Sequence, residues 1–260
     1  MSEKSRPEKL SPGAKSSIKK VIAVMSGKGG VGKSTVTGLL AVNLRTQGFK
    51  VGIMDADITG PSIPKMFGVR GLPSGKELSP SESAGGIKIM SLNLLLPNED
   101  DPVIWRGPLI GSAIKQFWTD VNWGELDYLL VDLPPGTSDA PLTVMQSLPV
   151  DGLIVVSSPQ ELVGMVVKKA VKMANMMQLP ILGLVENYSY AVCSKCGEKM
   201  ELFGRSRGQL EAKQAGIPFL GSLPIDHRLA EVCDKGAIED YENNHAPDMA
   251  SWVTGLESAM

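Results

Sequence analysis

The chain has 260 residues, 43% apolar and 21% charged, an ordinary globular composition long enough for one large α/β domain with a sizeable core. A net charge of -2 supplies no overall field to draw the chain to nucleic acid or anionic lipid, so neither is expected as a partner. No apolar run approaches the roughly 18 residues of a membrane span, no signal-peptide core opens the sequence, and three cysteines are too few for a disulfide framework. The expected location is the cytoplasm.

Residues 1–19 carry Lys4, Arg6, Lys9, Lys15 and Lys19 among serines and prolines without an apolar period, which predicts a flexible basic tail. A basic arm touching a partner is the functional alternative. Residues 20–260 are expected to form a single domain. Apolar runs follow at Val21 to Met25, Val51 to Met54, Ile87 to Leu92, Tyr128 to Val131, Leu153 to Val156, Ile181 to Val185 and Phe219 to Leu220, with helical stretches between them. These runs are apolar throughout and do not alternate, so they predict strands covered on both faces. The expected fold is α/β, a doubly wound, mostly parallel sheet with helices on both faces. Within it, Glu161 to Gln178 reads as an amphipathic helix whose Met173, Met176 and Met177 are assigned to core packing in preference to a partner groove. Residues 60–86, rich in Gly, Pro and Ser, read as a long irregular connection.

The stretch Gly27-Lys28-Gly29-Gly30-Val31-Gly32-Lys33-Ser34-Thr35 fits the P-loop pattern and stands between the first predicted strand and a helical stretch, Thr35 to Gln47. Glycines let successive backbone N–H groups turn inward around phosphate oxygens, and the helix N-terminus adds its positive dipole end. Lys33 is placed to reach β and γ phosphates, and Ser34 to offer Mg²⁺ a hydroxyl ligand. The same glycines also spell a dinucleotide fingerprint, Gly27-x-Gly29-x-x-Gly32, with Asp55 downstream. Lys33 and Ser34 have no task on the pyrophosphate of a dinucleotide, so ATP is the expected ligand.

A P-loop enzyme needs carboxylates at the ends of neighbouring parallel strands. Asp55 and Asp57 follow the run Val51 to Met54 and would point the same way in an extended segment, one supporting magnesium and the other orienting water. Asp132 ends the run Tyr128 to Val131 and leads into the rigid turn Leu133-Pro134-Pro135-Gly136-Thr137. Taken singly, an aspartate after a strand reads first as a helix cap or turn residue, but three of them at the expected places after a P-loop reverse that preference.

Lys28, the extra lysine within the loop, resembles the signature lysine of the deviant (SIMIBI-type) P-loop ATPases, which include MinD, ParA and the nitrogenase iron protein. Within that group, DADITGPSIPKMFG at 55–68, WRGP at 105–108 and LDYLLVDLPPGTSD at 126–139 resemble the Mrp/ApbC branch of ATPases that carry iron-sulfur clusters to apoproteins. The resemblance runs from about residue 20 to about 235. It implies a homodimeric ATPase in which Lys28 reaches across the interface to the partner's nucleotide. It further implies that Asp57 assists the attacking water, that Asp132 holds magnesium through its water shell, and that Asn187 contacts adenine. A loop-capping amide is the alternative for Asn187.

Cys193-Ser194-Lys195-Cys196 follows Asn187 closely, a placement typical of the resembled branch. The pair offers two thiolates, whereas a [4Fe-4S] cluster or a tetrahedral zinc takes four ligands, and a symmetric dimer supplies four. Three readings stand: a cluster bridging two subunits, a structural zinc, and a redox pair. The last is disfavoured because Gly197 and the lack of a following apolar helix leave Cys193 without a dipole to lower its pKa. Cys233 lies in a predicted helix and reads as a small buried hydrophobe. No cysteine precedes Cys193, so an N-terminal extension binding a second cluster is not expected. Rival functions are a MinD- or ParA-like positioning ATPase, an electron-transfer protein, and a zinc-stabilised regulatory ATPase. Residues 241–260, with acidic Glu242, Asp248 and Glu257 and no Lys or Arg, argue against an anionic-lipid anchor.

Overall fold

A computed structural model describes residues 9–57, 60, 62–73, 77–95, 107–136, 139–160, 163–242 and 247–254. Trp105 and Arg106 of the WRGP block, Thr137, Glu161, and positions 1–8 of the expected tail lie outside the described residues. The strands are β1 (Ser16–Ser26), β2 (Val51–Asp55), β3 (Ser81–Glu82), β4 (Lys88–Ser91), β5 (Gly124–Asp132), β6 (Gly152–Ser157), β7 (Ile181–Val192), β8 (Lys199–Met200) and β9 (Phe219–Ile225). The α-helices are α1 (Lys33–Thr46), α2 (Ile63–Met66), α3 (Gly107–Thr119), α4 (Asp139–Ser147), α5 (Val163–Met176), α6 (Gly208–Ala215), α7 (His227–Asp234) and α8 (Ser251–Thr254).

The strands form one sheet in the order β3-β4-β2-β5-β1-β6-β7-β8, with β9 also paired to β7. All pairings are parallel except β3 with β4 and β7 with β8. Successive residues of a strand face opposite sides, and the core divides accordingly. Val21, Ala23 and Met25 of β1 pack with Ile114, Phe117 and Trp118 of α3 and with Val167, Ala170 and Ala174 of α5. Ile22 and Val24 pack on the other face with Leu40 and Leu44 of α1 and Trp252 of α8. The sheet is therefore covered on both faces, as the unbroken apolar runs require.

Several expectations need correction. Residues 9–15 are tied to the domain: Leu10 N donates to Ser147 O at 2.9 Å, the Trp118 indole donates to Leu10 O at 2.9 Å, and β1 begins at Ser16. The basic character of this stretch concealed a strand whose outer half alternates between half-buried and exposed positions. Residues 60–86 are not wholly irregular, since α2 and the edge strand β3 lie within them. The methionines of the predicted helix Glu161 to Gln178 also divide. Met173 is buried and Met177 packs against the core, but Met176 is 78% exposed and lies outside the core cluster. Among the described residues no helix is long and apolar enough to cross a membrane.

Candidate functional site

β1 lies between β5 and β6, so the chain leaves the sheet at the point where strand order diverges, the place where open α/β sheets bind ligands. There the loop from Gly27 to Gly32 joins β1 to α1. Gly30 and Gly32 adopt φ values of 81° and 75°, conformations that side chains resist. At Gly32 the constraint is doubled, because an added Cβ would stand 2.2 Å from Asn187 Nδ2. Val36 N donates to Gly32 O at 3.0 Å, so helical pairing starts at once, and α1 directs its N-terminus into the loop. Ser26 Oγ donates to Lys28 O at 3.0 Å, and Gly136 N to Ser26 O at 2.8 Å, which fixes the loop against the turn after β5.

Beneath the loop, Asp132 is fully buried at the end of β5. Its carboxylate takes an ion pair from Lys33 Nζ at 2.7 Å, a hydrogen bond from Ser34 Oγ at 2.5 Å and one from Thr37 Oγ1 at 2.8 Å. Thr37 was not anticipated, although its position one helical turn after Lys33 puts both on the inner face of α1. Asp55 is directly opposite Asp132 in the β2–β5 register. It is 1% exposed, and it accepts from Asp57 N at 3.1 Å and Ser91 Oγ at 3.2 Å. Burial, and then the nearby Asp132 charge, push the Asp55 carboxyl well above the usual carboxylate range. Asp57 is buried beside it. Asp55, Asp57 and Asp132 thus gather at one strand-end edge.

β7 continues from the sheet into the cysteine hairpin. Its register with β9 shifts between Glu186 and Tyr190, an irregularity that re-aims the intervening side chains. Tyr188 has φ 58°, and Asn187 Nδ2 donates to Val31 O of the phosphate loop at 2.9 Å. Asn187 is therefore at the loop, holding its backbone. After Val192 the chain turns tightly: Gly197 N donates to Cys193 O and Cys193 N to Glu198 O, each at 2.9 Å, and β8 returns alongside β7. Cys193 is half-buried and Cys196 exposed, both as free thiols. The N–H groups of Lys195 and Cys196 point at the Cys193 sulfur and lower its pKa. This overturns the expectation that Cys193 lacks such assistance: the turn itself supplies N–H dipoles that no helix was needed to provide. Cys233 is on α7, where burial pushes its thiol up to about 11. Among the described residues no three His, Cys, Asp or Glu side chains form a metal-holding group, so this chain alone offers the hairpin's two sulfurs.

Lys28 Nζ bonds Gln160 Oε1 at 3.0 Å on the exposed side of the loop. A cavity of about 270 Å³ opens there, lined by Lys28, Gly30, Val31, Gln160, Tyr188 and Phe203. Phe203 belongs to the segment returning from the cysteines, so the hairpin and the phosphate loop share a wall. Sequence reasoning missed Tyr188, Gln160 and Phe203, and also Glu186, whose single signal was a charge at the end of an apolar strand.

The family described as NUBPL iron-transfer P-loop NTPase matches residues 17–255. A protein of Clostridium perfringens named iron-sulfur cluster carrier protein is 49% identical over 234 residues, covering 86% of this chain and 82% of its own. One of the same name from Methanocaldococcus jannaschii is 51% identical over 227 residues, with 85% and 78% covered. A nucleotide-binding protein from Archaeoglobus fulgidus, solved in complex with ADP and with cobalt found, superposes with a TM-score of 0.78 at 48% identity, covering 89% of this chain and 90% of that one. MinD of Pyrococcus furiosus, at 18% identity and a TM-score of 0.62 over 92% of this chain and 98% of that one, shares the fold.

Proposed function

The chain belongs to the NUBPL iron-transfer P-loop NTPase family, and from that premise we propose that it is an ATP-hydrolysing carrier that holds a [4Fe-4S] cluster between two copies of itself and passes it to apoproteins. The observation that carries this reading is the Cys193–Gly197 turn. It presents two accessible sulfurs, one with its pKa lowered by backbone N–H groups, on the strand that also grips the phosphate loop. Two sulfurs per chain leave a cluster half-ligated, and a second copy related by a two-fold axis completes the set.

In this reading the loop N–H groups and Lys33 take the phosphates, Lys33 exchanging Asp132 for the ligand. Ser34 Oγ, Asp132 and Asp55 form a hard oxygen donor set that suits magnesium, which when bound would offset phosphate charge. Burial first, and then the Asp132 charge, raise the Asp55 pKa, and a cation held there would relieve the second of these. Asp57 orients the attacking water. Lys28, on the exposed side of the loop, stabilises charge on the phosphoryl group of the opposite site. The cluster is cargo, and its transfer is ligand exchange. A thiol of the acceptor replaces each cysteine on iron, and its proton passes to the released sulfur. No electrons move. Exposed Cys196 is suited to be released first.

Anaerobic reconstitution with ferrous iron and sulfide tests this. The wild type is expected to develop the broad visible absorption of a [4Fe-4S] cluster, and the Cys193→Ala, Cys196→Ala double variant to remain colourless while still binding nucleotide. A wild type that stays colourless and retains stoichiometric zinc instead would assign the cysteines to a structural zinc.

A further inference from the structure

Glu186 is 1% exposed at the end of the apolar part of β7, yet nothing in nucleotide or cluster chemistry accounts for it. Its carboxylate is fully engaged by the two ends of the cysteine hairpin. One oxygen accepts from Ser189 Oγ and Ser206 Oγ, each at 2.6 Å. The other accepts from Arg207 N at 2.8 Å and Gly208 N at 2.6 Å, at the start of α6. Ser189 precedes the cysteines and Ser206 follows them, so one buried carboxylate closes the base of the hairpin. Gly208 has no room to yield, since an added Cβ would lie 2.9 Å from Glu186 Cβ and 2.5 Å from the Phe219 ring.

The residue after Glu186 grips the other site. Asn187 donates to Val31 O, and Tyr188, held at φ 58°, stands with its hydroxyl 2.7 Å from the place a Gly32 Cβ would occupy. Three consecutive residues therefore clamp the hairpin base and the phosphate loop, and Phe203 meets the loop again across the shared cavity. A displacement of Val31 or Gly32 when phosphate is seated must move Asn187, and Glu186 carries that movement to Ser206 because a buried carboxylate does not give up its donors cheaply.

We propose that Glu186 is a positioning residue that transmits the state of the phosphate loop to the cysteine hairpin. This rests on the nucleotide half of the carrier reading and is independent of what the cysteines hold. The test uses the full-length, cluster-free, reduced protein and measures the alkylation rate of Cys193 and Cys196 by limiting iodoacetamide and mass spectrometry, with and without Mg-ATP. Half-buried Cys233 serves as an internal reference. In the wild type Mg-ATP is expected to change the rate by about fivefold or more, a typical coupling between sites. Glu186→Gln and Ser206→Ala are expected to bind ATP with wild-type affinity but to lose that change, and Ser206→Thr, which keeps the hydroxyl, to restore it. Should Glu186→Gln fail to fold, the two Ser206 variants decide alone, since Ser206 sits at the exposed mouth of the clamp. A wild type whose alkylation ignores Mg-ATP overturns the proposal, and so do Ser206→Ala and Glu186→Gln proteins that respond as the wild type does. A nucleotide response in a protein that assembles no cluster would sink the carrier reading and leave the clamp standing.

Discussion

Asp55 shows how the site exchanges stability for binding. It shares its strand-end edge with Asp57 and Asp132, and Lys33 is the cation that offsets them. Its carboxyl is raised above the ordinary value, so the folded state holds the proton more tightly than the unfolded chain. The stabilisation associated with that proton is complete below the normal carboxylate range and is lost as pH rises through the raised pKa. At neutral pH Asp55 therefore weakens the fold. Asp55→Asn is expected to raise the melting temperature at pH 8 more than at pH 5, while Mg-ATP hydrolysis falls by roughly a hundredfold. Melting curves at both pH values, in the absence of nucleotide, check the first half, and a variant less stable at pH 8 would contradict it. The carboxylates themselves were legible in the sequence, because the ends of parallel strands beside a P-loop are where such groups are needed. Their mutual coupling was not, since it depends on the β2–β5 register that sets Asp55 beside Asp132.

Among the elements, α7 owes its start to Asp226. The side chain accepts from Arg228 N at 2.9 Å, from the Arg228 guanidinium at 2.7 Å and from the Tyr241 hydroxyl at 3.0 Å. These donors hold its carboxyl down at about 2, with the hydrogen bonds from Arg228 leading. Its contribution to stability is fully present above the ordinary aspartate value of 3.8 and is lost as pH falls through about 2. Asp226→Ala is expected to cost about 1 kcal/mol through the lost cap, measured by urea unfolding at pH 7, and progressively less as pH falls through about 2. The elements the sequence reveals are those whose burial is local: seven apolar runs became strands because both faces are covered. β3 and β8 stayed hidden, since Ser81–Glu82 and Lys199–Met200 have no apolar period and exist through pairing with β4 and β7. The Glu186 clamp was illegible for a related reason. Its donors at Ser206, Arg207 and Gly208 come together with it by the folding back of the hairpin.

For the whole molecule, the roles proposed for Lys28 and for the cysteines share one requirement, a second copy of the chain. Lys28 is on the exposed side of the loop, bonded to Gln160, and Cys193 and Cys196 lack further ligands in their own chain among the described residues. If Lys28 serves the partner's nucleotide and Asp57 its own, Lys28→Ala and Asp57→Ala proteins should each hydrolyse ATP at least about a hundredfold more slowly than the wild type. Mixing the two variants should then restore activity, because a mixed dimer contains one site with both groups intact. A mixture no more active than its components would place Lys28 in its own site. The most direct measurement on the carrier itself is native mass spectrometry of the anaerobically reconstituted protein. A dimer carrying the mass of one [4Fe-4S] unit, and a Cys196→Ala protein carrying none, is the predicted result. A cluster on the monomer, or zinc as the metal bound to the cysteines, would contradict it.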